Sequence, residues 1–254
     1  MCGRFALTAS PEEVREILGV IELDGFPPRY NIAPTQPILV AVASPPAEPG
    51  SNRPDRMALL VRWGLIPSWV KDPGEFTLLI NARSETAIEK ASFRAAMRHR
   101  RILVPASGFY EWHRPSKESG DKPQAYWIRP KTGGIVCFGG LMETYMSKEG
   151  SELDTGCILT VGANRSISPI HDRMPVVIAP QDFTRWLDCR HGEPRDVVDL
   201  MRPADEDYFE AIPVSDLVNK VANTGPELQV PVTPAPKKQR PASDKSGDGQ
   251  MSLF

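Results

Sequence analysis

Short apolar runs bounded by turn-forming residues dominate the first 225 positions of the chain. Their length and β-branched content predict strands at Ile38–Val42, Met57–Leu65, Ile102–Ala106, Phe109–His113, Ala125–Arg129, Ile135–Glu143, Cys157–Val161 and Val176–Ala179. Helical patterning is sparse. Ser10-Pro11-Glu12-Glu13 reads as an N-cap with Pro in the first turn, and Val14, Ile17 and Leu18 supply the apolar face. A second helix fits Glu85–His99 capped by Ser84, with Arg94, Arg98 and Arg101 on neighbouring turns. Ser44–Arg56, rich in Pro and Gly, reads as a mobile excursion between two strands. There is no internal repeat. Many strands with few helices predict an α+β fold: a single domain over 1–225 with a mostly antiparallel, barrel-like β core and peripheral short helices. Residues 226–254 change character. Pro231, Pro234, Pro236 and Pro241 sit among Lys, Ser, Asp and Gly with little to bury, so a disordered C-terminal tail is expected.

Composition narrows the class without naming a chemistry. With 254 residues, 41% apolar and 24% charged, the chain supports one sizeable core. No apolar run approaches the ~20 residues that span a bilayer, and no signal segment opens the chain, so no membrane partner is expected. Cys2, Cys137, Cys157 and Cys189 show no paired spacing; a disulfide framework or zinc ribbon does not fit, Cys189-x-His191 is only a weak metal hint, and a reducing cytoplasm is the expected home. The net charge of −2 announces no nucleic-acid binder, yet Arg83–Arg114 holds seven Lys or Arg against three Glu. A local stripe suffices for phosphate contacts, although a solvated helix face explains the same charges.

The start of the chain carries the sharpest chemistry. Met1 precedes a small residue, so processing is expected to leave Cys2 first. One residue then holds an α-amine of pKa ~7.7–8.0 and a thiol of ~8.5, both partly nucleophilic near neutrality. Such an aminothiol opens acyl groups through sulfur. It also traps aldehydes, as an imine and then as a thiazolidine. A small residue after the start codon is the plainer explanation of Cys2 taken alone.

Four polar segments lie in apolar surroundings: Cys2-Gly3-Arg4, Asn81-Ala82-Arg83-Ser84-Glu85-Thr86, Ser107-Gly108-Phe109-Tyr110-Glu111-Trp112 and Ile170-His171-Asp172-Arg173-Met174-Pro175. They offer a nucleophile, an amide, a carboxyl, an imidazole and guanidinium groups, the components of covalent catalysis with general acid–base help. Each also fits a structural role: Asn81 capping a turn, Glu111 on an edge strand, His171 satisfied in the core. A carboxyl partly buried beside Tyr110 and Trp112 is expected to have a raised pKa.

Together with Tyr30-Asn31-Ile32-Ala33-Pro34-Thr35 and Trp63-Gly64-Leu65-Ile66-Pro67, these segments resemble the SOS-response-associated peptidase family of abasic-site-processing proteins, over residues 2 to about 230. The resemblance implies capture of the aldehyde of an abasic site in single-stranded DNA as a thiazolidine on Cys2. It implies that Asn81 orients, that Glu111 acts as acid and base, and that His171 assists proton transfer. Arg4, Asn31, Arg83 and Arg173 are expected at the DNA, with Trp63 and Trp112 as stacking platforms; core packing is the other reading of Trp63. No metal or other cofactor is implied. The family name implies a peptidase activity, plausible as removal of Met1. Two other classes share the Cys2 start: an N-terminal-nucleophile amidohydrolase, for which the expected glutamine-holding arrangement and synthetase domain are not found, and a non-catalytic single-strand binder. At the other end, Gln250-Met251-Ser252-Leu253-Phe254 resembles the pentapeptide that binds the bacterial sliding clamp, which implies a clamp partner and a setting at the nucleoid or replication fork.

Overall fold

The computed structural model of the chain describes residues 2–46, 50, 52, 54–116 and 122–234. The pattern of apolar runs folds into two sheets. Strands β1 (Arg4–Leu7), β2 (Arg29–Ile32), β7 (Gly108–His113), β8 (Gln124–Pro130) and β12 (Phe209–Val214) form one antiparallel sheet in the order β12-β8-β7-β1-β2. The second sheet closes on itself. Strands β3 (Pro37–Ala43), β4 (Arg56–Trp63), β6 (Arg101–Ala106), β9 (Val136–Met146) and β10 (Glu152–Gly162) pair successively, and β10 pairs with both β9 and β4. The β4–β10 pairing is parallel and the other barrel pairings are antiparallel. The result is a five-stranded mixed barrel with an antiparallel sheet beside it, as the α+β reading expects.

Glycines set the barrel's width. A Cβ on Gly140 would lie 3.0 Å from Ile102 Cγ1, and one on Gly156 would lie 3.0 Å from Val61 Cγ2. These neighbours on adjacent strands therefore share the barrel's interior face, and by strand alternation Ile38, Val40, Val42 and Leu59 of the β3–β4 hairpin lie on it too. Two short strands extend the barrel wall along β10: β5 (Asn81–Arg83) runs parallel to it with Asn81 opposite Ile158, and β11 (Arg173–Pro175) runs antiparallel with Arg173 opposite Gly162.

Helices are short and peripheral. Helix α1 (Pro11–Leu18) has the expected N-cap: the Ser10 hydroxyl accepts from the Glu13 N–H, the Glu13 carboxylate accepts from the Ser10 N–H, and Gly19 ends the helix at φ 65°. The helix expected over Glu85–His99 is instead two pieces, α2 (Ser84–Ala87) and α3 (Arg94–His99). Phe93 is buried and takes a non-helical conformation, so insertion of its ring into the core breaks the pattern. Ser84 is a helical residue, and its hydroxyl is not the cap. Helix α4 (Phe183–Leu187) packs Trp186 on the barrel, where the indole donates to the Ile102 carbonyl at 2.9 Å.

Three further expectations are corrected. Arg101 is not part of a basic helix face: it starts β6, is 1% exposed, and donates to the carbonyls of Trp186, Met97 and Asp188. The strand expected at Val176–Ala179 shifts to Arg173–Pro175, because the segment leaves β10 there and crosses to β9, with Val177 bridging Phe138. Packing also continues past residue 225. Pro226–Gln229 forms a 3-10 turn, Leu228 is fully buried, and Pro231 bridges Val214. Part of the Ser44–Arg56 excursion and the residues from 235 onward, including Gln250, Met251, Leu253 and Phe254, lie outside the described residues. Among the described residues, no helix is long and apolar enough to cross a membrane.

Candidate active site

The seam between the two sheets gathers the four segments singled out by sequence. On β1, Arg4 lies opposite Tyr110 of β7, so the antiparallel register continues toward Cys2 on one side and Glu111 on the other. On the barrel wall, β5 brings Asn81, and the turn before β11 brings His171. Asn81 Nδ2 donates to the Cys2 carbonyl at 2.8 Å and thereby fixes the backbone that carries the thiol. The Asn81 Oδ1 atom is buried and accepts no bond among the described residues, leaving an acceptor at the site.

Cys2 is fully buried, with Sγ 3.6 Å from the Arg4 carbonyl. Burial pushes its thiol well above the ordinary range, and the nearby Glu111 carboxylate adds to this. The thiol is therefore held protonated until a partner takes its proton. Glu111 is 2% exposed, and burial raises its pKa to about 7, offset in part by the positive charge of the unprocessed N-terminus, by the Trp112 N–H and by Arg114. It thus exchanges a proton near neutral pH, which suits both donation and acceptance.

His171 Nε2 lies 4.0 Å from Glu111 Oε2. Its other nitrogen, Nδ1, accepts the Arg173 N–H at 3.0 Å. In the neutral ring this leaves the proton on Nε2, facing Glu111. The Asp172 carboxylate is 2.9 Å from Nδ1 and becomes its partner only when that nitrogen is protonated. Burial, followed by the charge of the unprocessed N-terminus, holds the His171 pKa below its ordinary value, so the ring is neutral at pH 7.

The residues assigned to nucleic acid divide. Arg83 is exposed at the site's edge, and Trp112 is partly exposed with its indole donating to Asn219 Oδ1 at 2.8 Å. Trp63 does not fit a stacking role: it is fully buried, packs edge-on against Phe5 at 5.2 Å and donates to the Ile80 carbonyl at 2.9 Å. Arg4 and Asn31 form a latch. Arg4 donates to Asn31 Oδ1 at 2.8 Å and to the carbonyls of Val218 and Asn219, while Asn31 Nδ2 donates to Lys220 and Asn223 carbonyls. Both side chains thus brace the segment that carries the Trp112 partner. Arg173 grips Glu85 through two bonds of 2.7 and 2.8 Å and also donates to Thr160. The sequence gives no role of their own to Glu85, one of the polar residues of the Asn81–Thr86 segment, or to Arg114, which ends the charge run. Among the described residues, no group of three or more His, Cys, Asp or Glu could hold a metal ion.

Comparison with known proteins shows the family. The family model described as SOS response associated peptidase (SRAP) matches residues 1–221. The chain is 38% identical over 231 residues to the abasic site processing protein YoqW of Bacillus subtilis, covering 90% of this chain and 98% of that protein. It is 30% identical to the abasic site processing protein HMCES of Rattus norvegicus, covering 88% of this chain and 70% of that protein. A solved Bacteroides thetaiotaomicron protein shares the fold, with TM-score 0.75 and 21% identity over 91% of this chain and 100% of that one. A phage-related protein from Bordetella bronchiseptica superposes with TM-score 0.65 at 27% identity over 84% of this chain and 94% of its own. The chain belongs to the SOS response associated peptidase family.

Proposed function

We propose that the chain, once Met1 is removed, binds single-stranded DNA at abasic sites and joins it covalently through Cys2. The observation that carries this reading is the convergence of Cys2, Asn81, Glu111 and His171 on one seam. The printed names of the YoqW and HMCES relatives support abasic sites as the substrate. In the proposed reaction, the sugar opens to its aldehyde as Glu111 gives a proton to the ring oxygen and takes back the one released by the anomeric hydroxyl. The neutral α-amine of Cys2 forms a C–N bond to the aldehyde carbon. Protonation by Glu111 lets the carbinolamine oxygen leave as water, giving an imine. The thiol then adds to the imine carbon, forming the C–S bond, and its proton passes through Glu111 to the ring nitrogen. One aldehyde and one aminothiol give one thiazolidine and one water. A thiol held protonated by burial favours this order, with nitrogen first and sulfur second. His171, neutral and facing Glu111, assists the proton's movement.

In this reading the exposed Arg83 and Arg114 meet phosphate, and Trp112 is the stacking platform. Gln250, Met251, Leu253 and Phe254 are proposed as a tethered ligand for the bacterial sliding clamp.

The test is incubation of the processed protein with uracil-glycosylase-treated single-stranded DNA. A band that survives denaturant, together with the sugar's mass on the N-terminal peptide, is expected. An equally stable adduct from Cys2→Ala would overturn the assignment, and glutamine hydrolysis without any adduct would favour an amidohydrolase.

A further inference from the structure

The two strands that deliver Asn81 and His171 lie on opposite edges of the end of β10. Thr160 stands opposite Arg83 of β5 on one side and Pro175 of β11 on the other. Strand β5 begins with Asn81 and runs straight into α2, while β11 starts two residues after His171. Each strand has three residues, and ladders that short open easily at their ends.

A clasp closes this end. Glu85, two positions past Arg83, meets Arg173 across the end of β10. Its Oε1 and Oε2 accept from Arg173 Nη1 and Nη2 at 2.7 and 2.8 Å, a fork-to-fork pair. The same guanidinium donates to the carbonyl and the hydroxyl of Thr160. The Glu85 carboxyl lies below its ordinary range, chiefly through the Arg173 bond, with its own N–H and that of Gly162 contributing. Gly162 is the residue opposite Arg173, so the carboxylate addresses both sides of the last pair of the β10–β11 ladder.

The clasp steadies one N–H in particular. The Arg173 N–H donates to His171 Nδ1 at 3.0 Å, while an Asp172 carboxylate oxygen stands 2.9 Å from the same nitrogen. A donor and an acceptor therefore compete for Nδ1. With the N–H in place, Nδ1 is the acceptor and the neutral ring carries its proton on Nε2, 4.0 Å from Glu111 Oε2. With the N–H displaced, Asp172 draws a proton onto Nδ1, and the neutral ring then turns a lone pair toward Glu111.

We propose that Glu85 is a positioning residue for the chemistry at Cys2: by clasping β5 to β11 it keeps the Arg173 N–H on His171 Nδ1 and so sets the tautomer that faces Glu111. This role rests on the abasic-site reading of the Cys2 site.

The full-length protein without Met1 serves for the test. With uracil-glycosylase-treated single-stranded DNA in single turnover, Glu85→Gln should slow adduct formation by about 10–100-fold while affinity for undamaged strands is kept, since a misplacement of ~1 Å can cost ~10²-fold in rate. In a His171→Ala background the same substitution should add no further loss, because the two residues act through one ring. Long-range proton–nitrogen NMR at neutral pH, with no DNA present, should find the His171 proton on Nε2 in the parent and a shift toward Nδ1 in Glu85→Gln. Arg173→Lys keeps the charge and loses the fork, so it should shift the tautomer likewise and stands in if Glu85→Gln does not fold. An unchanged tautomer in the folded variants would overturn the proposal. So would equal slowing with and without His171, or a parallel loss of affinity for undamaged strands. A parent that forms no adduct would sink the abasic-site reading instead, and the tautomer, read without DNA, still decides whether Glu85 sets the ring.

Discussion

Glu111 keeps a proton near neutral pH because its carboxyl is 2% exposed, and that single property governs two measurements. The first is rate. Removal of a positioned acid–base group costs ~10²–10⁴-fold in its step. Glu111→Gln should therefore slow adduct formation by that order while affinity for undamaged single strands is kept, as gel-shift titration and single-turnover kinetics would report; parallel losses in both would make Glu111 structural. The second is stability. The folded pKa of about 7 lies above the ordinary 4.5, so the folded state binds more protons between these values. Stability attributable to this group is then fully present below pH 4.5 and is lost as pH rises through 7, by on the order of 3 kcal/mol. Glu111→Gln should flatten this part of the stability–pH curve in urea titrations from pH 5 to 8, and an unchanged slope would refute the raised pKa.

At the scale of elements, the site depends on short strands laid along β10. Arg173 ties β11 to α2 through Glu85 and to β10 through Thr160, with its side chain 14% exposed. Arg173→Ala strands these acceptors, so a loss of about 1–3 kcal/mol in unfolding free energy is expected by chemical denaturation. Arg83, one strand position from Ala82 and exposed, carries no such load. Arg83→Ala should leave stability unchanged and reduce the salt slope of single-strand affinity by about 0.7, the value for one phosphate. An unaltered slope would remove Arg83 from the DNA surface. The β7–β8 pairing beside Glu111 rests on Gly108. A Cβ there would meet the Ile128 carbonyl at 2.4 Å and the Trp127 ring at 2.7 Å. Gly108→Ala is expected to destabilise the domain by roughly 1–3 kcal/mol, and a neutral result would mean that β8 can retreat.

Viewed whole, the molecule gathers its candidate site on the seam between barrel and sheet. The C-terminal stretch adds a function of its own in the proposed reading. Truncation after Gly249 should leave cross-linking to short oligonucleotides unchanged and abolish clamp binding, which for a short peptide is expected near micromolar Kd, about −8 kcal/mol. Fluorescence anisotropy with purified clamp measures this, and equal binding by the intact and truncated chains would sink it. Shortening the chain further is a different matter. Leu228 is fully buried, and the Arg4–Asn31 latch holds the 218–223 segment, so a cut at 225 should lower the melting temperature and loosen Trp112 as well.

The sequence alone determined the features that repeat or bond locally. The long apolar runs became β3, β4, β6, β9 and β10 of the barrel and β7 and β8 of the sheet beside it, because a strand buried in either needs such a run. The α1 caps are formed by neighbours three to five residues apart, and were legible for that reason. The four polar segments were legible because polar residues in apolar strands are conspicuous. Tertiary structure decided whatever depends on a distant partner. Strands β1, β2, β5, β11 and β12 are too short or too polar to show periodicity, and they exist because a neighbouring edge accepts them. The side chains of Arg4, Arg101 and Arg173 looked alike as basic residues. Carbonyls and carboxylates up to 215 positions away turned all three into internal fasteners, while Arg83 stayed exposed. Trp63 went to the core and Trp112 to the rim for the same reason: an indole's neighbours are chosen by the fold, and composition cannot name them.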